Sequence, residues 1–468
     1  MEKLYLLNKS GVIRRKGMVF LLALVVVLVV SSVAVVMASG AGVRLRAQDD
    51  LVGRAQARQA ALGVLRAVCN DLATSMVAGT LPQLVTVKPE GEVIGECTVV
   101  LLGRDPQGLR AHFSLIPEAG KISLNTLVGT NVPQRAVIRS VLSAQNGMTP
   151  EITAAIYDWA DDNDTVDDDG GAERTDTHYQ GATIPYAPRN GKFETIDELR
   201  LVRGVTDDLF FGEDANNNGR LDPGEDTNGN GKLDLGLRDL VTLETREPGT
   251  LSTDVLTDVN DTSPVSSPTD AKSRPELFEF LFGLNEKIRL EAVTIREQAL
   301  QPQRRFLNRL HLLTCLGSEL EESQMTALWP RLKGSESRAG LVDAWSCSEQ
   351  LLTSLVPDIA SKILAARPVI QPTSPAWLIN ILTPAEAIDA GMKLSVGGYQ
   401  FRADILAVSR HGWARIDAMI DCSTNFPRVI HLRPTESLGW PLPWATPAML
   451  RQANATQDFS TMLTSDRN

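Results

Sequence analysis

Cysteine and histidine are scarce in this chain of 468 residues, with five of each scattered along it. No CxxC pair and no Cys/His ligand spacing occurs, so the sequence gives no sign of a zinc centre or a dithiol redox site. In an oxidising compartment we expect one or two disulfides, and the odd count leaves at least one free thiol. The spacing does not fix the pairing, and the histidines are interpreted as structural or surface residues. The residues are Cys69, Cys97, Cys315, Cys347 and Cys422, and His112, His178, His311, His411 and His431.

A basic surface is also missing. The chain has 46 Lys and Arg against 57 Asp and Glu, which gives a net charge of −11. The acidity is concentrated between Asp158 and Asp239. Nucleic-acid binding needs a basic face, so the sequence argues against it, including the helix-hairpin-helix mode. The acidic stretch favours cation binding or a solvated acidic surface.

Long apolar runs are absent apart from one near the N-terminus. Arg14-Arg15-Lys16-Gly17 precedes an uncharged stretch from Met18 to Val43, which ends at Arg44. As a helix this stretch would extend roughly 39 Å, and about 20 apolar residues cross a bilayer. The cations on the short side place that end in the cytoplasm and the rest of the chain outside it. The alternatives are a plain signal anchor and a secretory signal that is cleaved near Ala38–Gly40.

Apolar residues recur at three- and four-residue spacing from Arg44 to about Thr74, and no proline occurs before Pro82. This pattern predicts one long rod that continues the membrane helix and packs its amphipathic half on a sheet. A separate juxtamembrane helix is the alternative.

The rest of the chain mixes strand and helix patterns, which predicts an α+β fold. Strands are predicted at Leu84–Lys88, Cys97–Leu102 and Leu109–Ile116, with a hairpin turn over 103–108, and a returning strand over 240–246. Helices are predicted at Pro133–Leu142, Thr149–Trp159 and Thr195–Val202, the last with a Thr195/Glu198 capping box. Leu394–Ala407 and His411–Ile420 are predicted to form a hairpin.

Residues 214–225 match the EF-hand loop at every specified position. Calcium takes six to eight oxygen ligands, and Gly219 would make the turn. The predicted ligands are the side chains of Asp214, Asn216, Asn218 and Asp222, the carbonyl of Arg220 and the bidentate carboxylate of Glu225.

A second copy begins at once, with Asp226, Asn228, Asn230, Lys232 and Asp234 in the corresponding positions. Its twelfth position is Leu237, so this loop lacks the bidentate acid, and Asp239 is the nearest substitute. Long flanking helices are missing from both loops. The alternative to calcium is an Asn/Asp/Gly-rich surface turn without an ion.

A third acidic group follows no standard loop spacing. It could hold another ion, form a polar helix end, or suggest a metal-dependent hydrolase. No histidine and no nucleophile–base pair accompanies it, so the sequence predicts that the protein is not an enzyme. The group comprises Asp158, Asp161, Asp162, Asn163, Asp164 and 167–169.

The basic leader that ends in Gly17, followed by Met18 and an apolar helix, resembles the class III leader of type IV pilins and type II secretion pseudopilins. In those families prepilin peptidase cuts after the glycine and methylates the new N-terminus. The resemblance implies that Gly17 and Met18 are the processing site.

Segments further along resemble the minor pseudopilin K family of type II secretion (general secretion pathway protein K). Residues 350–367 resemble its later helix–turn–helix segment, and the other segments occur in the same order as in that family. They are "GKISLNTL" (Gly120–Leu127), "IYDWADDND" (Ile156–Asp164), "GGAE" with His178-Tyr179 (Gly170–Tyr179), "PYAPRN" (Pro185–Asn190) and "FETIDELRLVRGV" (Phe193–Val205).

The resemblance implies a long pilin-like helix packed on a small antiparallel sheet, with a large inserted helical domain carrying EF-like calcium loops. It implies a structural subunit at the pseudopilus tip that initiates assembly for export across the outer membrane. Leu22, the fifth mature residue, agrees with a tip position, because most pilins have there a Glu that neutralises a neighbour's N-terminal amine. A calcium-binding docking or adhesion module anchored by its signal, or a periplasmic hydrolase, is the alternative function.

The implied partners are the I-type and J-type minor pseudopilins, the major pseudopilin and prepilin peptidase. The implied location is the inner membrane, crossed once, with the C-terminal domain in the periplasm. The expected organisation is leader 1–17, transmembrane helix 18–43, amphipathic helix and first strands 44–120, inserted domain 121–239, returning strand 240–250, linker and extra helical insertion 251–340, helical segment and last strands 341–433, and tail 434–468.

Overall fold

The computed structural model describes most of the chain. The described residues are 2–77, 92–94, 96–104, 111–112, 115–127, 132–167, 169–219, 221–243, 245–246, 257–258, 306–317, 320–329, 332–333, 340–369, 371–424, 426–442 and 446–450. The predicted strand Leu84–Lys88, the loop 105–110, most of the predicted insertion 251–340 and the tail after residue 450 lie outside them.

One helix, α1 (Glu2–Val77), runs through the membrane segment and beyond it. From Met18 to Thr74 it contains an 18-residue window with a mean hydropathy of 3.2, of which 0% is buried. By length and composition, α1 is the one helix in the described part of the chain that could cross a membrane. The predicted continuous rod is therefore confirmed.

The second half of α1 packs on a sheet through small side chains. Its buried positions are Ala57, Ala60, Ala61, Val64, Leu65, Val68 and Leu72. At Gly53 the helix lies against a strand turn, where an added Cβ would come within 2.9 Å of Ser409 Oγ. The absence of a side chain at Gly53 allows this approach.

The sheet has seven strands in one antiparallel network. The strands are β1 (Glu92–Ile94), β2 (Cys97–Arg104), β3 (Ala111–His112), β4 (Ile116–Pro117), β11 (Gln400–Val408), β12 (Trp413–Asp421) and β13 (Arg428–Pro434). Their order is β1-β2-β11-β12-β13, and β3 pairs with β2 and β4 with β11. Strands from both ends of the chain thus share one sheet, and residues 118–399 are inserted between β4 and β11.

The hairpin β11–β12 was predicted and is confirmed, with Gln400 opposite Asp421 and Val408 opposite Trp413. Successive side chains of a strand point to opposite faces. Ile416 and Ala418 therefore join the core that includes Ala57 and Val64. Arg415 and Asp417 face the other side of the sheet.

The inserted domain begins and ends at a small parallel sheet, in which β5 (Ile122–Ser123) pairs with β6 (Val241–Thr242). Among the described residues, the strand predicted over 240–246 comprises Val241–Thr242, which pair with β5 and not with the main sheet. Its residues instead close the base of the insertion, since Asn125 N donates to Leu243 O at 2.9 Å.

Helices α2 (Val132–Ser143) and α3 (Pro150–Ala160) agree with the predicted ones. Thr149 caps α3 by accepting from Ile152 N, as expected for a helix start. The predicted helix at 195–202 is a 3₁₀ helix, Ile196–Leu201, and its Thr195/Glu198 capping box is present. The remaining short elements of this domain are α4 (Thr177–Gln180), α5 (Asp207–Phe211) and α6 (Leu237–Leu240).

A second helical group lies between the inserted domain and β11. Helices α7 (Arg309–Leu316) and α12 (Pro384–Lys393) contact each other, and Arg309 lies 3.9 Å from the ring centre of Trp329. The predicted helix–turn–helix over 350–367 is present as α9 (Glu349–Leu355) and α10 (Ala360–Ala366). The other elements are β7 (Thr257–Asp258), α8 (Glu322–Leu328), β8 (Leu332–Lys333), β9 (Val342–Asp343), α11 (Ala376–Ile379) and β10 (Leu394–Ser395).

The start of the predicted tail, 434–468, packs on the sheet. After β13 comes a 3₁₀ helix, Glu436–Leu438. Leu442 and Leu450 are then buried in a small core with Leu406 and Val408. These residues lie on the face opposite to α1.

Candidate metal centre

The first loop, residues 214–225, lies between α5 and α6. The two EF-like loops are closed together by a bridge between Gly212 and Leu235 and by a hydrogen bond from Glu213 N to Asp234 O of 3.0 Å. Gly212 has φ +62°, and an added Cβ would lie 2.3 Å from Gly236 N. A glycine is therefore required where the chain enters the loops.

Asp214 organises the first loop from its first position. Its side chain is fully buried and accepts from Asn218 N at 2.9 Å and from Gly219 N at 2.8 Å. Asn217 and Gly219 have φ +57° and +72°, which asparagine and glycine tolerate best. The predicted turn at Gly219 is thereby present.

The other predicted ligands also turn inward. Asp222 Oδ2 accepts from the side-chain amides of Asn216 at 2.8 Å and Asn218 at 2.7 Å. The carboxylate of Glu225 accepts hydrogen bonds from Asp222 N at 2.9 Å and from Ala215 N at 3.2 Å. The loop therefore brings together every predicted ligand that the structure describes. Arg220, whose carbonyl was predicted as a ligand, lies outside the described residues.

The donor set fits calcium. The Oδ1 atom of Asn216 is buried and has no hydrogen-bond partner in the described structure, which is costly unless another group or ion binds it. Burial raises the pKa of Glu225, and the charges of Asp214 and Asp222 raise it further. A divalent cation bound by these oxygens would offset both costs.

This fit relies on amide and main-chain oxygens as well as on acids. Within the described ranges, no three side chains of the types His, Cys, Asp and Glu stand together as a metal-binding group.

The second loop copies the turn of the first. Asp226 accepts from Asn230 N at 3.1 Å and Gly231 N at 3.0 Å, and Asn230 Nδ2 donates to Asp234 at 3.1 Å. Residues 227–232 are exposed. Leu237, in the position of the missing acid, is buried at the start of α6. This loop has the turn but neither the bidentate acid nor the burial.

An acidic pocket forms beside α3 from Asp158, Asp161, Asp164 and Glu173. Glu173 is only 2% exposed, and neither of its carboxylate oxygens has a hydrogen-bond partner among the described residues. Burial, with the charges of the other three acids, raises the pKa of Glu173 to about 7. Burial likewise raises the pKa of Asp158 to about 6.

The sequence indicated these aspartates but not Glu173, which lies nine residues after the nearest of them, Asp164. Its local signal was its place at the end of the "GGAE" motif. Burial beside like charges favours the protonated form of this carboxyl.

Two other predicted cluster members contact the pocket: Asp167 N donates to Asp158 Oδ1 at 3.1 Å, and Asn163 Nδ2 donates to Asp161 Oδ2 at 2.7 Å. Arg139 forms ion pairs with Asp167 at 2.6 Å and with Asp169 at 2.5 Å. The negative charges of these two acids are therefore already paired with an arginine. Asp162 and Asn163 are exposed, and Asp168 is outside the described residues.

The five cysteines are all free thiols, and the expected disulfides are not formed. At the processing site, the backbone is helical through Gly17 and Met18, and Met18 is 75% exposed.

Comparisons with known proteins give one family. Residues 120–211 match the family model for protein K of the type II secretion system (T2SS), the region in which the sequence motifs resemble that family. Protein K of the type II secretion system of Pectobacterium carotovorum subsp. carotovorum is 26% identical over 210 residues, which is 42% of this chain and 60% of the relative. The protein of the same name from Aeromonas hydrophila is 37% identical over 76 residues, 16% of this chain and 22% of the relative.

The matched segments thus span less than two thirds of either relative. Among solved structures, the GspK-GspI-GspJ complex from the type 2 secretion system of enterotoxigenic Escherichia coli matches with 15% identity and a TM-score of 0.35. The match covers 81% of this chain and 97% of that one.

Proposed function

We propose, on the premise that this chain is a protein K of the type II secretion family, that it is a structural minor pseudopilin rather than an enzyme. The family match over 120–211 carries this proposal. It falls on the domain inserted into a sheet that packs on one long N-terminal helix. A pilin-like subunit needs such a helix to anchor it before assembly and to pack against neighbouring helices afterwards.

The chain would sit in the inner membrane with a single pass and expose its C-terminal domain to the periplasm. The cations at 14–16 and the exposed apolar stretch after Met18 support this orientation. Prepilin peptidase would cut between Gly17 and Met18 and methylate Met18.

We further propose a position at the tip of the pseudopilus, where the subunit would initiate assembly together with the I-type and J-type minor pseudopilins. Two features support the tip. Leu22 provides no carboxylate to neutralise a neighbour's amine within the membrane, where an unpaired charge is costly. The inserted domain of more than a hundred residues widens the subunit, so that it fits an end better than the shaft of major pseudopilins.

Calcium would bind the first loop. The buried Oδ1 atom of Asn216, which has no hydrogen-bond partner among the described residues, supports this proposal. The ion would neutralise like charges that face each other, and its role would be structural.

The test uses full-length chain extracted from the membrane of its own host. Intact mass and N-terminal sequencing should show N-methylated Met18 at the start, and Gly17→Val should retain the leader. Affinity capture of the processed chain should bring down I-type and J-type pseudopilins. A chain that starts at Met1 or near Ala41, or capture without these partners, would contradict the proposal.

A further inference from the structure

The main chain of the first loop is bound to the sheet by one buried guanidinium. Arg415 on β12 is fully buried and pairs with Asp404 of β11, with 2.6 Å between Nη2 and Oδ2. The same guanidinium donates from Nη1 to the carbonyl of Asn216 at 2.8 Å and from Nη2 to that of Asn217 at 2.6 Å. Its rigid fork of donors thus joins both central strands to two consecutive carbonyls of the loop.

These carbonyls belong to the part of the loop that sets the ligand geometry. Asn217 takes a left-handed conformation, with φ +57°, and the predicted ligands Asn216 and Asn218 flank it. From α6, Arg238 donates to the carbonyl of Asp214 at 2.7 Å. Two arginines thus bind three main-chain carbonyls of the loop, those of Asp214, Asn216 and Asn217.

A second contact joins the loop to the end of the chain. The side-chain amide of Asn218 donates to the carbonyl of Pro441 at 3.0 Å, across 223 residues of sequence. Residues 436–442, called here the carboxyl-terminal segment, lie on the sheet through Leu442 and through Trp440, whose ring centre is 5.5 Å from that of Trp413. Asn218 is thus both a predicted calcium ligand, through its oxygen, and a contact to this segment, through its nitrogen.

We propose that the first loop is a calcium-dependent clamp that holds the inserted domain and the carboxyl-terminal segment on the same face of the sheet. A cation that binds Asn216 and Asn218 through their oxygens fixes the loop in the conformation that Arg415 and Pro441 recognise. By linkage, calcium stabilises the clamped state by as much as clamping strengthens calcium binding. The clamp rests on the proposed calcium binding to the first loop and adds to it a coupling between distant parts of the chain.

The substitution Asn218→Asp separates the two roles of this residue. It keeps a side-chain oxygen for the ion, and aspartate is common at this loop position. It replaces the amide donor with an acceptor that faces the carbonyl of Pro441. The matched control is Asn230→Asp, at the same position of the exposed second loop.

The experiment measures hydrogen exchange in the full-length chain in detergent, with Ca²⁺ or with a chelator, and terbium luminescence for ion binding. In the unmodified chain, Ca²⁺ should slow exchange about tenfold both in the loop and at Leu438 and Gly439, whose amides donate to the carbonyls of Thr435 and Glu436. Asn218→Asp should bind the ion at least as tightly and still protect the loop. It should lose most of the calcium-dependent protection of residues 436–442, whereas Asn230→Asp should keep it.

The clamp is wrong if Asn218→Asp retains calcium-dependent protection of residues 436–442. It is also wrong if the unmodified chain binds the ion while exchange in that segment does not change. If the luminescence titration shows no binding at the first loop, the proposed calcium role fails as well, and this result is seen independently of exchange.

Discussion

The two EF-like loops differ in burial and not in their local turn. Asp214 and Asp226 each accept main-chain amides four and five residues ahead. Asp214 is buried, however, and the first loop is bound to the sheet by Arg415, whereas most of the second loop faces solvent. The motif is therefore enough to form the turn. Tertiary contacts decide whether the loop that carries the predicted ligands is buried and bound to the sheet.

The acidic pocket completes this comparison, because it has burial without the motif. Glu173 is enclosed and surrounded by acids, although no loop spacing predicts it. The first loop has both properties, the second loop has only the motif, and the pocket has only the burial.

The largest effect is expected from Asp214→Asn, compared with Asp226→Asn at the same position of the second loop. Calcium at about a hundred times its Kd stabilises a protein by about 2.7 kcal/mol. Asp214→Asn should lose most of this gain, because it removes a charged ligand from the preorganised site. Asp226→Asn should retain most of it.

The measurement for this pair is the unfolding free energy with Ca²⁺ and with a chelator, together with terbium titration. Equal losses of calcium-dependent stability in the two variants would show that burial does not determine which loop binds calcium.

A smaller effect is expected from Gly171→Ala, which tests how tightly the acidic pocket is packed. An added Cβ at Gly171 would lie 2.0 Å from Asp158 Oδ2. The pocket must then shift, at a cost of about 1–3 kcal/mol for overpacking. Gly191→Ala is the control, since the nearest atom to its Cβ is 4.0 Å away. Urea unfolding should show a lower free energy of unfolding for Gly171→Ala but not for Gly191→Ala. Similar decreases in both variants would contradict a rigid pocket.

The next prediction concerns pH. Burial and the neighbouring acids raise the pKa of Glu173 from 4.5 to about 7. Because the folded-state pKa is raised, the folded chain favours the protonated form. Without calcium, the stability from this group is complete below about pH 4.5 and is lost as the pH rises through 7.

The test is a series of thermal unfolding measurements between about pH 5 and 8, with Ca²⁺ or a chelator. Glu173→Gln should flatten the profile in chelator, whereas the exposed Asp162→Asn should leave it unchanged. An unchanged slope in Glu173→Gln would mean that this carboxyl does not titrate in this range.

Local sequence signals predicted the parts of this molecule that depend on neighbours in sequence. Thr149 caps α3, Thr195 and Glu198 form the capping box, and Asp214 to Gly219 make the loop turn. Contacts between distant segments were not predictable in this way. Arg415 reaches Asn216 across 199 residues, and nothing around Arg415 in sequence indicates a partner.

The strand predicted over 240–246 shows the same limit. Its β-branched and apolar residues predicted a strand, but not that its partner would be Ile122–Ser123. The strand pairing depends on how the two ends of the inserted domain come together in the fold. Glu173 was missed for a related reason, because its burial depends on how α3 and the following turns pack together.

The smallest effect is expected at Asp234, the ninth position of the second loop, compared with Asp222 of the first. Asp234 accepts from the amides of Asn228 and Asn230, which are exposed. Water can replace these hydrogen bonds, so Asp234→Asn should change stability by less than about 0.5 kcal/mol with or without Ca²⁺. Asp222, only 7% exposed, accepts the corresponding amides in a place that water does not reach, so Asp222→Asn should destabilise the calcium-bound chain measurably more. If thermal unfolding shows a large calcium-dependent loss for Asp234→Asn, the exposed loop also binds an ion, and the motif would then be sufficient without burial.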